Sequence, residues 1–125
     1  MSLDAVGIVS GNMKMSVHFY ALLGVQLQES GGPDHLEGTT PSGVRIMLDS
    51  AELMKKINPD WKEPQGSGVI LCFKQASAEA VDELFIRVIE AGFKPVKAPW
   101  DAFWGQRYAS VQDPDGNQID LFAPL

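Results

Sequence analysis

The sequence has little cysteine and no long hydrophobic run. Its single cysteine, Cys72, excludes an internal disulfide. Because Cys72 lies in an apolar stretch, we expect a buried, inert thiol, and the scarcity of cysteine favours a cytoplasmic location. No apolar stretch is long enough to cross a bilayer. The first residues also lack the basic segment and apolar core of a signal peptide, so we expect neither a membrane anchor nor a secretory leader.

Positive charge is scarce as well. The chain has 10 Lys and Arg residues against 16 Asp and Glu residues, which gives a formal net charge of −6 at pH 7. Nucleic-acid binding requires clustered basic side chains, and the sequence has no such cluster, so we exclude that class of partner. An acidic surface is compatible with a cationic small ligand, although it also serves simply to keep a globular protein soluble.

The pattern of apolar residues predicts the order of elements βαβββ, and this order occurs twice along the chain. A chain of 125 residues is long enough to bury a core in a single domain. In that domain we expect module one at about residues 1–50, a linker at about 51–66 and module two at about 67–125. The predicted strands are at residues 4–10, 25–30, 35–40, 44–49, 68–74 and 93–97, followed by a terminal hairpin.

The two module helices are predicted with patterns of different quality. The second begins after Ser77 as its N-cap and ends at Gly92. Its apolar residues have the spacing of one helical face. They are Val81, Leu84, Phe85, Val88 and Ile89. The first helix, predicted at residues 13–23, has a less regular stripe. It consists of Met13, Val17, Tyr20 and Ala21. A further short helix is predicted at residues 51–57, within the linker.

The last quarter of the chain carries the most specific motif. Residues 113–117 read Asp-Pro-Asp-Gly-Asn, a combination that favours a tight turn between two strands. Residues 98–105, rich in Trp and Phe, are predicted to form a loop before this hairpin. Arg107 is expected to brace the hairpin by pairing with Asp113 or Asp115, with anion binding as the alternative.

These residues carry a resemblance. The end of the chain resembles the end of a vicinal-oxygen-chelate domain in three motifs: Trp104-Gly105-x-Arg107, the turn at 113–117 and Ile119-Asp120-Leu121. Domains of this kind define the superfamily of glyoxalases, bleomycin-resistance proteins and dioxygenases. The start of the chain is similar to the family's opening. In this chain the strand residues Val6-Gly7-Ile8-Val9 precede the helix motif Met15-Ser16-x-x-Phe19-Tyr20-x-x-Leu23-Gly24. The family's opening likewise has a strand that runs into a helix ending in Phe-Tyr and then Leu-Gly. The resemblance implies an α+β fold of two βαβββ modules that form a curved mixed sheet, with a ligand groove completed in a homodimer.

The resemblance also implies where a metal ion would be bound. The four ligand positions of metal-dependent members fall at or near Ala5, Met47, Val69 and Asp120. Only Asp120 can coordinate a divalent ion, and one carboxylate does not hold one. We therefore predict no metal, no cofactor and no catalytic residue. The resemblance then points to metal-free bleomycin-resistance-like members, which sequester a drug; the ligand here would be an antibiotic or an ordinary metabolite.

Five aromatic residues are the main candidates for ligand binding. In this role they would form a stacking wall for a flat or cationic molecule. They are Trp61, Trp100, Phe103, Trp104 and Tyr108. The alternative is that they pack in the core or at a dimer interface, where Trp and Tyr are also enriched.

A polar set of candidates comprises His35, Glu37 and Asp120. His35 and Glu37 are two apart on a strand and so share one face. With Asp120 they could contact the ligand, or form an improvised metal or acid–base site; the alternative is a solvated strand face. Such a site would make the protein a metal-dependent lyase or dioxygenase. A third hypothesis is a subunit without a ligand, whose aromatics only form the dimer.

Overall fold

The protein is described here from a computed structural model, which covers residues 1–63 and 68–125. The chain separates into two compact units, Met1–Glu63 and Pro64–Leu125. The predicted boundary of linker and second module, at residues 66 and 67, lies outside the described residues. In the described ranges, none of the helices has the length and apolar character needed to span a membrane.

The first unit contains four strands and two helices. In chain order they are β1 (Ala5–Ser10), α1 (Met13–Leu22), β2 (Gln28–Glu29), β3 (His35–Thr39), β4 (Arg45–Ser50) and α2 (Ala51–Ile57). The strand order in the sheet is β1-β4-β3-β2. β1 runs parallel to β4, while β3 is antiparallel to both of its neighbours. The side chain of Asn12 caps α1 by accepting a hydrogen bond from the backbone N–H of Met15 at 3.1 Å.

The stripe predicted for α1 was largely wrong. Of its four residues only Tyr20 is fully buried, whereas Ser16 and Phe19 are buried instead of the others. The reason is a hydrogen bond of 2.7 Å between the hydroxyls of Ser10 and Ser16, which satisfies a polar side chain inside the core. Phe19 packs edge-on against Tyr20, with ring centroids 5.0 Å apart.

The strand predicted at residues 25–30 is shortened to two residues in β2. Before β2, Val25 and Leu27 are buried, so the apolar alternation there reports burial and not strand pairing. The carbonyl oxygen of Gln26 passes directly over Gly38 on β3. A Cβ atom at Gly38 would lie 2.4 Å from that oxygen, so only glycine fits at this position.

The second unit repeats the order βαβββ with four strands and one helix. They are β5 (Leu71–Lys74), α3 (Ala78–Glu90), β6 (Pro95–Ala102), β7 (Gln106–Gln112) and β8 (Gln118–Pro124). The sheet order is β5-β8-β7-β6, with β5 parallel to β8 and the other pairs antiparallel. The predicted α+β class and the order βαβββ are thus confirmed. β5 begins later than predicted, and Val69 and Ile70 before it are exposed.

Helix α3 follows its sequence pattern closely. The hydroxyl of Ser77 accepts a hydrogen bond from the backbone N–H of Ala80 at 3.1 Å, as expected for the N-cap. Val81, Leu84 and Val88 are buried, so the predicted apolar face is confirmed at its centre. The opposing core residues of the sheet have no more than a few per cent of their surface exposed. They are Ala109, Val111, Ile119, Leu121 and Ala123.

The loop predicted at residues 98–105 was wrong over most of its length. β6 continues to Ala102, and its last residues pair with β7 in register, Trp100 opposite Tyr108 and Ala102 opposite Gln106. Only residues 103–105 form the turn, in which Gly105 has a φ of +92°. Pro95 and Pro99 are tolerated in β6 because this strand lies at the end of the sheet order, where a missing N–H group costs no hydrogen bond to a second neighbour.

The terminal turn at residues 113–117 is confirmed. The carboxylate of Asp113 accepts hydrogen bonds from the backbone N–H groups of Asp115, at 3.0 Å, and Asn117, at 2.8 Å. Arg107 does not brace this turn. Its guanidinium donates two hydrogen bonds to Asp82 on α3, at 2.8 and 3.2 Å, and one to Asp101 on β6, at 3.1 Å.

Candidate functional site

The second sheet has a polar and aromatic face on the side opposite α3. Because side chains alternate along a strand, the buried core residues of β7 and β8 leave the intervening residues on the other side. We call this the second-sheet face. It is formed by Cys72, Tyr108, Ser110, Asp120 and Phe122, which are neighbours in register across β5, β8 and β7.

Asp120 lies at the centre of this face and is 5% exposed. One of its carboxylate oxygens accepts hydrogen bonds from the Ser110 hydroxyl at 2.7 Å and the Gln118 amide at 3.0 Å. The other oxygen accepts a hydrogen bond from the Tyr108 hydroxyl at 2.7 Å. All three donors are neutral, and none of the ion pairs formed in residues 1–63 and 68–125 includes Asp120.

Tyr108 is held in its protonated form by this arrangement. Burial raises the pKa of the Tyr108 hydroxyl above its usual value, and the hydrogen bond to Asp120 raises it further. Tyr108 is therefore a hydrogen-bond donor to Asp120 at physiological pH, and its ring is fixed in position over the sheet.

The aromatic residues predicted near the hairpin form one continuous group, which we call the aromatic cluster. It consists of Trp100, Phe103, Trp104, Tyr108 and Phe122. Trp104 lies in its middle, nearly perpendicular to three other rings whose centroids are 4.9–5.5 Å away. Tyr108 in turn stacks against Phe122 at 6.1 Å. Phe103 is 92% exposed and Trp104 is 48% exposed, so the cluster is partly open to solvent.

Two features distinguish Trp100 within the cluster. The ammonium group of Lys97 lies 4.7 Å from the centroid of its ring, at cation–π distance. The indole N–H of Trp100 is buried and has no hydrogen-bond acceptor in the described part of the chain. A buried donor without an acceptor is unfavourable, and sites of this kind are often completed by a bound molecule.

The expectation that Cys72 is buried was wrong. The side chain is exposed on β5, and its sulfur lies 4.0 Å from the Tyr108 hydroxyl oxygen. The apolar stretch that suggested burial includes Val69 and Ile70, which are themselves exposed before the strand begins. Cys72 is opposite Asp120 in the pairing of β5 with β8, so the thiol borders the second-sheet face.

The equivalent face of the first sheet carries an ion-pair network. We call it the first-sheet network and define it by Asp4, His35, Glu37, Arg45 and Asp49. The His35 imidazole contacts the carboxylate of Asp49 through Nδ1 and that of Glu37 through Nε2, the latter at 2.7 Å. Arg45 donates hydrogen bonds to Glu37 at 2.7 Å and to Asp4 at 2.6 Å.

The carboxylates determine the charge of His35. Its pKa is raised from the ordinary value, first by the hydrogen bond to Asp49 and then by that to Glu37. The pKa of Glu37 is lowered, mainly by His35 and then by Arg45. Both imidazole nitrogens donate when the ring is protonated, so the network is complete with a charged His35 and an ionised Glu37.

The structure thus brings together some of the predicted site residues. Trp100, Phe103, Trp104 and Tyr108 join in one cluster, and Tyr108 connects it to Asp120. His35 and Glu37 share one face and contact each other, as predicted. They belong to the first unit, whereas Asp120 belongs to the second. Trp61 also lies in the first unit, half-buried after α2, with its backbone N–H bonded to Asn58 at 2.9 Å.

Several residues of these faces were missed in the sequence. Asp49 shares one face of β4 with Arg45, and Phe122 shares one face of β8 with Asp120, so the strand periodicity could have placed them. Cys72 could have been placed in the same way only after the start of β5 was known. Ser110 and Gln118 carry no signal of their own in a single sequence.

The described residues contain no group of three or more His, Cys, Asp or Glu side chains arranged to hold a metal ion. At the positions implied by the resemblance, Met47 is opposite Gly7, and Asp120 is opposite Cys72. The lack of metal and cofactor stays a prediction from the residue types at these positions.

The architecture of two βαβββ units is shared with a known superfamily. Residues 2–121 match the Glyoxalase/Bleomycin resistance protein/Dioxygenase superfamily. Because this match covers nearly the whole chain, the protein belongs to that superfamily, and the resemblance noted in the sequence is confirmed. No protein of curated function matches the sequence.

Three solved structures illustrate the relationship. A glyoxalase/bleomycin resistance protein/dioxygenase family enzyme from Burkholderia phytofirmans PsJN is 26% identical, with a TM-score of 0.88 and 100% of both chains covered. TioX from Micromonospora sp. ML1 is 20% identical, with a TM-score of 0.67 and 100% of both chains covered. Lactoylglutathione lyase from Agrobacterium tumefaciens is 15% identical, with a TM-score of 0.71 over 98% of this chain and 92% of that one. The last two are similar in fold alone.

Proposed function

We propose that this chain is a non-catalytic binding protein that holds a small, partly aromatic molecule against the aromatic cluster. The observation that carries the proposal is the exposure of large rings at one place, with Phe103 at 92% and Trp104 at 48%. Contiguous apolar surface left open to water is typical of a binding site. The rings are held by contacts with one another, so the surface is organised before a ligand arrives.

Polar groups beside the cluster support the same proposal. Small-molecule sites usually combine apolar walls with a few fixed hydrogen-bonding groups. Here Tyr108 belongs to the cluster and is fixed by Asp120, and the Trp100 N–H has no acceptor among the residues that the structure describes. Arg107 holds β6 and β7 to α3 through Asp101 and Asp82, which positions the strand ends that carry the rings.

The alternative is a metal-dependent lyase or dioxygenase that uses His35, Glu37 and Asp120. In that case His35 would have to give up Asp49 and Glu37, and Asp120 would have to give up three hydrogen-bond donors. These costs favour the binding protein. Elemental analysis of the purified protein, with tryptophan emission titrated by divalent ions, tests the alternative; a stoichiometric metal would establish it against our proposal.

The proposal includes the homodimer and the cytoplasmic location that we expect from the sequence, with a drug or a metabolite as the ligand. Burial of exposed rings is a common feature of protein interfaces as well as of ligand sites. Sedimentation velocity of the wild-type chain and of Phe103→Ser separates these roles. A dimer that survives the substitution leaves the ring available to the ligand, whereas dissociation assigns Phe103 to the interface.

The binding test uses two probes, quinoline and bleomycin, measured by isothermal titration calorimetry and tryptophan emission. We expect saturable binding of at least one probe with one site per chain. Trp104→Ala should weaken it about tenfold, since an aromatic contact contributes about 1 to 1.5 kcal/mol. Ile86→Ala is the matched control, because Ile86 is a similarly exposed apolar residue on α3. Equal loss in both variants, or no saturation with either probe, would contradict the proposal.

A further inference from the structure

Asp120 is a buried carboxylate whose hydrogen bonds are satisfied but whose charge is not balanced. Its three partners are the hydroxyls of Tyr108 and Ser110 and the amide of Gln118, all neutral. Buried charges in proteins are normally paired with an opposite charge, because neutral donors only partly replace the solvation that is lost. In the residues that the structure describes, no Lys, Arg or His forms an ion pair with Asp120.

The Tyr108 ring connects Asp120 to the cluster and becomes more electron-rich through this contact. The Tyr108 hydroxyl donates to the carboxylate at 2.7 Å, which shifts electron density from the O–H bond into the ring. The face of an aromatic ring is already the negative end of its quadrupole and attracts cations. Tyr108 is therefore a better platform for a cation than an isolated tyrosine. Its ring centroid is 5.2 Å from that of Trp104, so the effect lies within the cluster.

The cluster already accepts one ammonium group of the chain itself. The Lys97 Nζ atom lies 4.7 Å from the Trp100 ring centroid. Lys97 is exposed and sits where β6 shifts its register against β7, so its side chain is on the solvent side of the cluster. The contact shows that the rings can hold an ammonium at one end, while Asp120 at the other end has no positive partner among residues 1–63 and 68–125.

We infer that the aromatic cluster and Asp120 form a binding site for a small organic cation, an alkylated ammonium or an N-alkylated heteroaromatic ring. This inference rests on the proposed function and specifies the class of its ligand. Ring faces attract diffuse organic cations but do not replace the oxygen or nitrogen ligands that a divalent metal ion requires. The net charge of −6 adds a long-range electrostatic attraction for a cationic ligand.

The decisive experiment compares N-methylquinolinium with quinoline at neutral pH. Quinoline has nearly the same shape and carries no charge at that pH. Calorimetric titration at low ionic strength should show about tenfold tighter binding of the cation to the wild-type chain. Asp120→Asn keeps the size and an acceptor oxygen but removes the charge. It should weaken N-methylquinolinium binding far more than quinoline binding, so that the two affinities become nearly equal.

A second variant tests the site from the opposite side. Lys97→Met removes the chain's own cation from the Trp100 ring and should tighten N-methylquinolinium binding about threefold, because like charges repel. Lys94→Met is the matched control, since it makes the same change in net charge at another exposed lysine of the second unit. Its effect on N-methylquinolinium binding should be clearly smaller, and Lys97→Met should change quinoline binding less than it changes N-methylquinolinium binding.

The outcomes separate the two proposals. Equal affinity of the wild-type chain for both probes overturns the cation site but leaves an aromatic binding protein. Absence of saturable binding of either quinoline compound, together with failure of bleomycin, overturns the proposed function itself. If Asp120→Asn does not fold, as judged by its circular dichroism and unfolding transition, the lysine pair decides: equal effects of Lys97→Met and Lys94→Met overturn the inference.

Discussion

In the first sheet, the face turned away from the core carries charges of both signs, with His35 and Arg45 placed between carboxylates. In the second, the equivalent strands carry one carboxylate, neutral hydroxyl and amide donors, and aromatic rings. The strand orders are the same, β1-β4-β3-β2 and β5-β8-β7-β6. The difference shows that a shared arrangement of strands determines where side chains meet but not which chemical groups they carry. The fold alone therefore does not determine the function.

Equivalent positions make the contrast concrete. On β4, Met47 pairs with Gly7 and Glu37, and on β8 Asp120 pairs with Cys72 and Ser110. The first network therefore surrounds an apolar methionine with three carboxylates that are paired with two cationic side chains. The second face surrounds a single charge with neutral groups.

The largest effect is expected at a position where the two sheets differ in the backbone. Gly38 in β3 stands where β7 has the buried Val111, because the Gln26 carbonyl oxygen covers Gly38 at 2.4 Å from an added Cβ. Gly38→Ala should lower the free energy of unfolding by about 3 kcal/mol, since a backbone group must move. Urea unfolding measures this. Gly7→Ala is the control, because its Cβ would meet only Met47, at 3.8 Å. Similar stabilities of the two variants would refute the close approach.

A somewhat smaller effect is expected when the lone charge of the second face is removed together with its acceptors. Asp120→Ala leaves the hydroxyls of Tyr108 and Ser110 without their acceptor in a buried place. We expect the free energy of unfolding to fall by about 2 kcal/mol. Asp120→Asn, which keeps one acceptor, should cost clearly less. If both variants were as stable as the wild type, the hydrogen bonds to Asp120 would not be a structural feature of this face.

A third and smaller effect concerns pH, to which the first-sheet network should respond. The pKa of His35 is raised above its unfolded value of 6.5, so its stabilising contribution is complete below pH 6.5 and is lost as the pH rises through the raised pKa. The pKa of Glu37 is lowered from 4.5, so its contribution is present above pH 4.5 and is lost as the pH falls through the lowered pKa. Stability from this network is therefore greatest between the two unfolded values.

Urea unfolding across this range, with the His35 ring resonances followed by nuclear magnetic resonance, checks the expectation. His35→Gln should flatten the decline of stability above pH 6.5, whereas His18→Gln on α1 should leave it in place. A His35 ring that titrates below 6.5 would contradict the double contact with Asp49 and Glu37.

The sequence predicted best those parts of the fold whose signals are local. The face of α3, its cap at Ser77 and the turn built by Asp113 each depend on residues within a few positions of one another. The family resemblance rested on equally local motifs at both ends of the chain. Such patterns are legible in one sequence because the interacting groups are fixed by the geometry of a single helix or turn.

The errors concern partners distant in the chain. Arg107 was assigned to the nearby turn, but it pairs with Asp82, which is 25 residues away. Ser16 was left out of the α1 face because its partner Ser10 lies in β1. The end of β6 was predicted to be a loop, because its pairing with β7 depends on the tight turn at Gly105 and not on a pattern within the strand itself.

The candidate site was predicted in its aromatic part and missed in its polar part. Trp100, Phe103, Trp104 and Tyr108 stood out because large rings had been assigned to a loop, where packing gives them no reason to be. The neutral shell of Asp120 could not be foreseen, because Ser110 and Gln118 reach it only once β7 and β8 are in register.

The form of β6 has a consequence for the behaviour of the protein at high concentration. The strand is the last in its sheet order, and a free edge of this length beside exposed rings would normally invite another chain to add a strand. Pro95 and Pro99 lack the N–H groups that such pairing needs, and the register shifts on either side of Lys97 bend the edge out of line. The backbone of this edge thus resists growth into fibrils even though aromatic rings are exposed beside it.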